Sequence, residues 1–210
     1  MGTGKKDKEK KLAGRQKELF HFIEKNPGLH LRELQRRLSV SSMGNFEYHI
    51  QILHKLKLVM ERTEGGYKRY YPVHGAVKNK ALLALLRQKL PRRIVILIIE
   101  KMRQQGCLEL AKLSGDAAEE DETAAKEKPA GAKECGSTPF ELMGELGLSP
   151  SALSYYLSKL RKQGVLKKEK QGKNVFYVLE EPKEALKLII SYRESFTDGL
   201  VNSFMDAWGL

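Results

Sequence analysis

The sequence predicts a mainly helical α+β protein built from two copies of one small unit, three helices followed by a β-hairpin. Three observations carry this reading. First, LSVSSMGNFEYHIQIL at residues 38–53 is answered by LGLSPSALSYYLSKL at residues 146–160. Aligning Phe46 with Leu153, Ile50 with Leu157, Leu53 with Leu160, Gly66 with Gly172 and Tyr71 with Tyr177 needs shifts of only one or two residues. Second, in each copy a helical apolar spacing gives way to a short basic and aromatic run folded around glycine. Third, 210 residues at 41% hydrophobic are enough for two small cores.

Taken in order, residues 1–11 form a basic tail with Lys5, Lys6, Lys8, Lys10 and Lys11. The first unit spans residues 12–74. Leu12, Leu19, Phe20 and Ile23 keep helical spacing until Asn26-Pro27-Gly28 ends the run. Leu31, Leu34 and Leu38 mark a second helix, and Phe46, Ile50 and Leu53 a third. LVMERTEGGYKRYYPV then turns at Gly65-Gly66 as a hairpin. Residues 75–91 read as a linker helix that Pro91 separates from the second unit, residues 92–181.

Within that second unit, residues 114–137 hold seven acidic and three basic side chains and no aromatic, too little apolar surface to offset the entropy of ordering them. They are expected to be a disordered acidic insertion. Order returns at STPFELMGEL, where Thr138 can cap, Pro139 suits the first helical position and Glu141 completes a capping box. Ser149-Pro150 starts the next helix, with Leu153, Leu157 and Leu160 inward, and VLKKEKQGKNVFYVLEE gives a hairpin near Gly172. Residues 182–210 carry an amphipathic helix or helix pair with Leu186, Ile189, Ile190, Phe196, Leu200, Val201, Phe204, Met205 and Trp208. That face must be covered, by the chain itself or by a second copy in a homodimer.

A net charge of +12 rises to +16 when the acidic insertion is set aside, which favours a polyanionic partner. The apolar run Ile94–Ile99 is far short of the roughly 20 residues that cross a bilayer, and MGTGKKDKEKK has no apolar signal core. The expectation is a cytoplasmic protein with no membrane partner.

The frame S-x-x-x-aliphatic-x-x-[HY]-[IL]-x-x-L, followed by KLV or GVL and a basic aromatic hairpin, resembles the winged helix-turn-helix domains of ArsR- and MarR-like regulators. With PRRIVILIIEKM opening the second copy and YRESFTDGLVNSFMDAW near the end, the chain looks like the tandem winged-helix transcriptional regulators common in archaea. The resemblance covers residues 16–72 and 92–208. It departs from the pattern in two places, the acidic insertion and Glu47 on the first recognition helix.

In such a fold the second helix of the motif enters the major groove, where its outward side chains meet base edges. The resemblance makes Ser42, Asn45, Glu47, Tyr48 and Gln51 the candidate readers of the first copy, and Ser151, Ala152, Ser154, Tyr155 and Lys159 those of the second. The hairpins become wings that contact phosphate, through Arg62, Lys68 and Arg69 in the first and Lys167, Lys168, Lys170 and Lys173 in the second. Tyr67, Tyr70, Tyr71, Phe176 and Tyr177 are expected in the hairpin cores, and His49 and Tyr156 to be half-buried packing residues.

Cys107 and Cys135 flank the insertion, which leaves two readings: a redox pair that its returning ends bring together, or two unrelated reduced thiols in a reducing cytosol. The five histidines lack ligand spacing, and no metal or other cofactor is expected. No P-loop, dinucleotide fingerprint, HExxH or nucleophile elbow is present, so no enzyme is expected. The function read from the sequence is a sequence-specific, double-stranded-DNA-binding transcriptional regulator. The alternative is a winged-helix pair used for protein contact or as an architectural component of a chromosome or transcription assembly.

Overall fold

A computed structural model describes residues 12–40, 43–74, 77–108, 135–197 and 199–209, without the side chains of Met43 and Gln171. The chain divides into two compact units, Met1–Arg87 with Tyr192–Asp198, and Gln88–Ser191 with Gly199–Leu210.

The first unit starts with α1, Gly14–Lys25, whose buried face is Leu19, Phe20 and Ile23. Asn26 ends it, donating from both its backbone and its side chain to the Phe22 carbonyl at 2.9 and 3.0 Å. Pro27 cannot continue the helix, and Gly28 turns with φ +81° where a Cβ would press on the Tyr71 ring. The chain then makes β1, Leu29–His30, and α2, Leu31–Arg37. His30 Nδ1 accepts from the Glu33 amide at 3.3 Å and so caps α2. Helix α3, Met43–Lys55, buries Phe46, Ile50 and Leu53, the inward set that the spacing predicts.

Strands β2, Val59–Glu64, and β3, Tyr67–Pro72, pair antiparallel from Val59↔Pro72 to Glu64↔Tyr67. β1 adds a third strand against β3, with Leu29 opposite Tyr70. Two residues are too few to show a period of two, so this strand is invisible in the sequence pattern. Helix α4, Lys80–Leu86, is capped by Asn79 and buries Leu82 through Leu86 in an unbroken run, which is core material rather than an exposed connector.

In the second unit, α5, Lys89–Gln104, takes in Pro91 as its third residue, where the missing N–H costs no helical bond. It buries Ile94, Val95, Ile98, Ile99 and Met102. Helix α6, Pro139–Leu146, opens with the expected capping box: the Glu141 amide donates to Thr138 Oγ1 at 3.3 Å and the Thr138 amide to Glu141 Oε2 at 2.8 Å. Gly147, at φ +62°, ends α6, and Ser149 caps α7, Pro150–Lys162, which buries Leu153, Leu157 and Leu160.

Strands β4, Leu166–Gln171, and β5, Asn174–Leu179, form the hairpin. Ser137 pairs with Tyr177 through two backbone bonds of 3.0 and 2.8 Å, repeating in miniature the third strand of the first unit. The expected insertion therefore ends earlier than its composition suggests, because Cys135–Ser137 belong to the fold. Residues 109–134 lie outside the described residues, as does the basic tail.

The C-terminal stretch is not one block. α8, Pro182–Ser191, and α9, Leu200–Trp208, belong to the second unit, whereas the short 3₁₀ turn Arg193–Ser195 belongs to the first. There Arg87 donates to the Pro27 carbonyl at 2.8 and 3.1 Å and to the Ser195 carbonyl at 2.9 Å, while Arg37 donates to that same Ser195 carbonyl at 2.9 Å. Leu186, Ile189, Val201, Phe204, Met205 and Trp208 are all buried within the chain, and Arg103 lies over the Trp208 ring at 4.7 Å. No helix of the described residues is long and apolar enough to cross a membrane.

Hydrogen bonds from Arg36, together with those from Arg37, hold the Glu33 carboxyl well below the usual range, at about 2. A depressed carboxylate contributes stability above its unfolded value of 4.5 and loses that contribution as pH falls through about 2. Glu33→Gln should therefore cost on the order of 1 kcal/mol near neutral pH, since solvent screens the pair. In urea titrations the gap between variant and parent should close between pH 4.5 and 2; a constant gap would contradict this role.

Candidate nucleic-acid interface

In the second unit α6, the turn at Gly147–Ser149 and α7 make a helix-turn-helix, and burial of Leu153, Leu157 and Leu160 decides which residues α7 shows. Ser151, Ser154 and Tyr155 are exposed, and Ala152 is half-buried. Tyr155, 61% exposed, stands edge-to-face with Tyr156 at 5.1 Å. Lys159 is placed differently from the expected reader. It is half-buried, and its ammonium donates to Gln88 Oε1 at 2.8 Å, which ties α7 to the start of α5. Exposed cations lie instead at Arg161 and Lys162, in the last turn of α7. Position in that turn is the signal that sequence reasoning passed over.

The second hairpin exposes Lys167, Lys168, Lys170 and Lys173. Lys167 pairs with Glu169 at 3.1 Å, while Lys168, Lys170 and Lys173 make no ion pair among the described residues. Lys168 and Lys170 are two apart on β4 and so share one face of the ribbon, next to Lys173 at its turn.

The first unit offers a different surface. Asn45, Glu47, Tyr48 and Gln51 are exposed on α3, with Tyr48 at 58%, and Ser42 lies outside the described residues. Tyr48 and Tyr155 occupy equivalent places, each two residues after the first inward apolar residue of its helix. His49 is half-buried, and its Nδ1 is enclosed without a hydrogen-bond partner among the described residues.

On the hairpin Arg62 is exposed, and Lys68 pairs with Glu61 at 3.2 Å. Arg69, expected to contact phosphate, is only 4% exposed and donates through Nη1 to the Gly28 carbonyl at 2.7 Å. Its period-two neighbour Tyr71 is in the core, and the guanidinium follows it inward to satisfy the backbone of the Gly28 turn. Tyr67 is also corrected. It is 59% exposed and stacks on His30 at 5.4 Å, whereas Tyr70, Tyr71 and Phe176 are buried and Tyr177 is half-buried. Tyr71 donates its hydroxyl to Glu64 at 2.6 Å, and burial, then this carboxylate, push its pKa upward. With Arg69 turned in, the first hairpin shows Glu61, Arg62, Glu64 and Lys68, a balanced set, against four lysines and one glutamate in the second.

Cys107 and Cys135 are joined by a disulfide across 28 positions, with Cα atoms 6.2 Å apart.

The class that this geometry defines is a helix-turn-helix followed by a basic β-ribbon. Residues 138–168, from the capping threonine of α6 into β4, match the arsR family of bacterial regulatory proteins. The chain is also 24% identical over 176 residues to an uncharacterized HTH-type transcriptional regulator of Methanocaldococcus jannaschii. That similarity covers 83% of this chain but 36% of the relative, so the chain spans about a third of the relative's length. No solved structure matches.

Arg69→Ala should destabilise the fold by about 2 kcal/mol or more, because the buried Gly28 carbonyl loses a charged donor. Denaturant unfolding measures this, and a cost below about 0.5 kcal/mol, as at a plain surface site, would return Arg69 to the exterior of the wing.

Proposed function

We propose that the protein is a transcriptional regulator that binds double-stranded DNA, with the second unit as its principal grip. One observation carries the reading: the ArsR-matching helix-turn-helix presents Ser151, Ser154 and Tyr155 beside a hairpin whose Lys168, Lys170 and Lys173 make no ion pair among the described residues. Small hydroxyl side chains let α7 approach a groove closely, and Tyr155 can then meet a base edge or a thymine methyl. The unpaired ammonium groups suit phosphate, which releases counterions and supplies most of the affinity. In this reading both units are winged helix-turn-helix domains and binding is sequence-specific.

The first unit is the weaker partner. Asn45 and Gln51 are suited to adenine, but Glu47, Glu61 and Glu64 oppose phosphate, and among the described residues only Arg62 is an unpaired wing cation. A homodimer is not needed to cover most of the C-terminal apolar face, because Leu186, Ile189, Val201, Phe204, Met205 and Trp208 are buried within the chain, while Ile190 is exposed.

Replacing Lys168, Lys170 and Lys173 together by Gln should weaken binding to a duplex at least tenfold near 0.15 M salt and make the log–log salt slope less negative by about 2–3. Tyr155→Ala should instead leave the slope in place and reduce the preference for a selected site over bulk DNA. Equal slopes for the lysine variant and its parent would remove the second hairpin from the interface.

A further inference from the structure

The disulfide lies between the end of α5 and the start of α6, the first helix of the helix-turn-helix. Cys107 follows directly on α5 and is held there by its amide, which donates to the Met102 carbonyl at 2.8 Å. Cys135 lies three residues before Thr138, the cap of α6. Among the described residues the joint is tied further by the Gln105 carboxamide, which accepts from the Gly136 amide at 2.8 Å and donates to the Gly136 carbonyl at 3.1 Å, and by the Lys101 ammonium on α5, which pairs with Glu141 on α6 at 2.7 Å.

Gly136 is pressed against the hairpin. Its φ is +102°, and a Cβ there would stand 2.4 Å from the Tyr177 carbonyl oxygen. Ser137 then bonds twice to Tyr177 on β5. One short segment, Cys135–Thr138, thus fixes the start of α6, the hairpin and the end of α5 to each other, and the sulfur–sulfur bond is its covalent anchor. Without that bond the two cysteines are 28 positions apart along the chain, and the Gln105 and Ser137 hydrogen bonds and the Lys101–Glu141 ion pair must hold the joint against the conformational entropy that the cross-link removes. Both cysteines are half-buried rather than sealed, so a small dithiol can reach them.

We propose that Cys107 and Cys135 form a reversible redox site whose state sets the seating of α6 and, through it, the DNA affinity of the second unit; the second half of this inference rests on the DNA-binding reading above. The reductant is a dithiol. Its thiolate attacks one sulfur and forms a mixed disulfide, and its second thiol then displaces that sulfur. One disulfide and one dithiol become two protein thiols and one oxidised dithiol, with two electrons and two protons transferred to the protein. Peroxide reverses the change, taking the two thiols to the disulfide with release of two waters. The oxidised form is the tight binder, because it holds α6 against the hairpin as a rigid base for α7.

The test uses the full chain, oxidised and then reduced with dithiothreitol, with circular dichroism to establish that the reduced protein keeps its helices. Amide hydrogen exchange reports on the joint without any DNA, and fluorescence anisotropy on a labelled duplex reports binding. On reduction, exchange at Ser137–Leu142 should quicken about tenfold and DNA affinity should fall by a similar factor, and peroxide should restore both. Cys107→Ser/Cys135→Ser should match the reduced parent and ignore either reagent. Exchange that does not change on reduction overturns the proposal, and so does changed exchange with equal DNA affinity in the two states. If exchange responds but neither state binds any duplex, it is the DNA-binding reading that falls.

Discussion

Leu153, Leu157 and Leu160 fall at helical intervals along α7, and their burial in the core of the second unit leaves α7 no choice about what it displays. With that side fixed inward, Ser151, Ser154 and Tyr155 must face out, and Tyr156 is left at the margin, half-buried and edge-to-face with Tyr155. The two capped starts, at Thr138 and Ser149, fix where each helix begins and so the register of that outward face. The same constraint acts through Phe46, Ile50 and Leu53 in the first unit and exposes Asn45, Glu47, Tyr48 and Gln51. Packing therefore sets the position of each candidate reader, and the side chains that happen to stand there set its chemistry.

That chemistry differs between the copies although the architecture repeats. The second hairpin keeps its lysines outside, and among the described residues Lys167 pairs with Glu169 while Lys168, Lys170 and Lys173 make no ion pair. The first draws Arg69 into its core, neutralises Lys68 with Glu61 and commits Glu64 to the hydroxyl of Tyr71. Its aromatic residues and arginine stabilise the three-stranded sheet rather than charge its surface. A repeat of fold thus carries two different surfaces, one hairpin strongly basic and the other balanced in charge.

Much of this was legible in the sequence wherever a local rule governs the outcome. The inward triplets followed from spacing, the α6 start from Thr138-Pro139-Glu141, and the hairpin turns from Gly65-Gly66 and Gly172. Tertiary context decided the rest. β1 is two residues long and exists only because β3 offers it an edge. Arg69 reads as a surface cation unless its alternation with Tyr71 is taken together with an uncapped carbonyl at Gly28, 41 positions away. Lys159 finds Gln88 across 71 positions, and Ser195 returns to Arg37 and Arg87 from the far end of the chain. Such pairings have no signature in composition or period. Cys107 and Cys135 belong with them, because two cysteines flanking a foreign stretch read as a redox pair or as two unrelated reduced thiols until the fold brings them together.

The central claim, that this chain selects DNA sites through its helix-turn-helix, is most directly tested by mixing the full-length protein with sheared genomic DNA at about 0.15 M salt and sequencing what it retains. A short enriched motif centred in the retained fragments is the predicted result. Retention of DNA without any shared motif, or no retention at all, would contradict it.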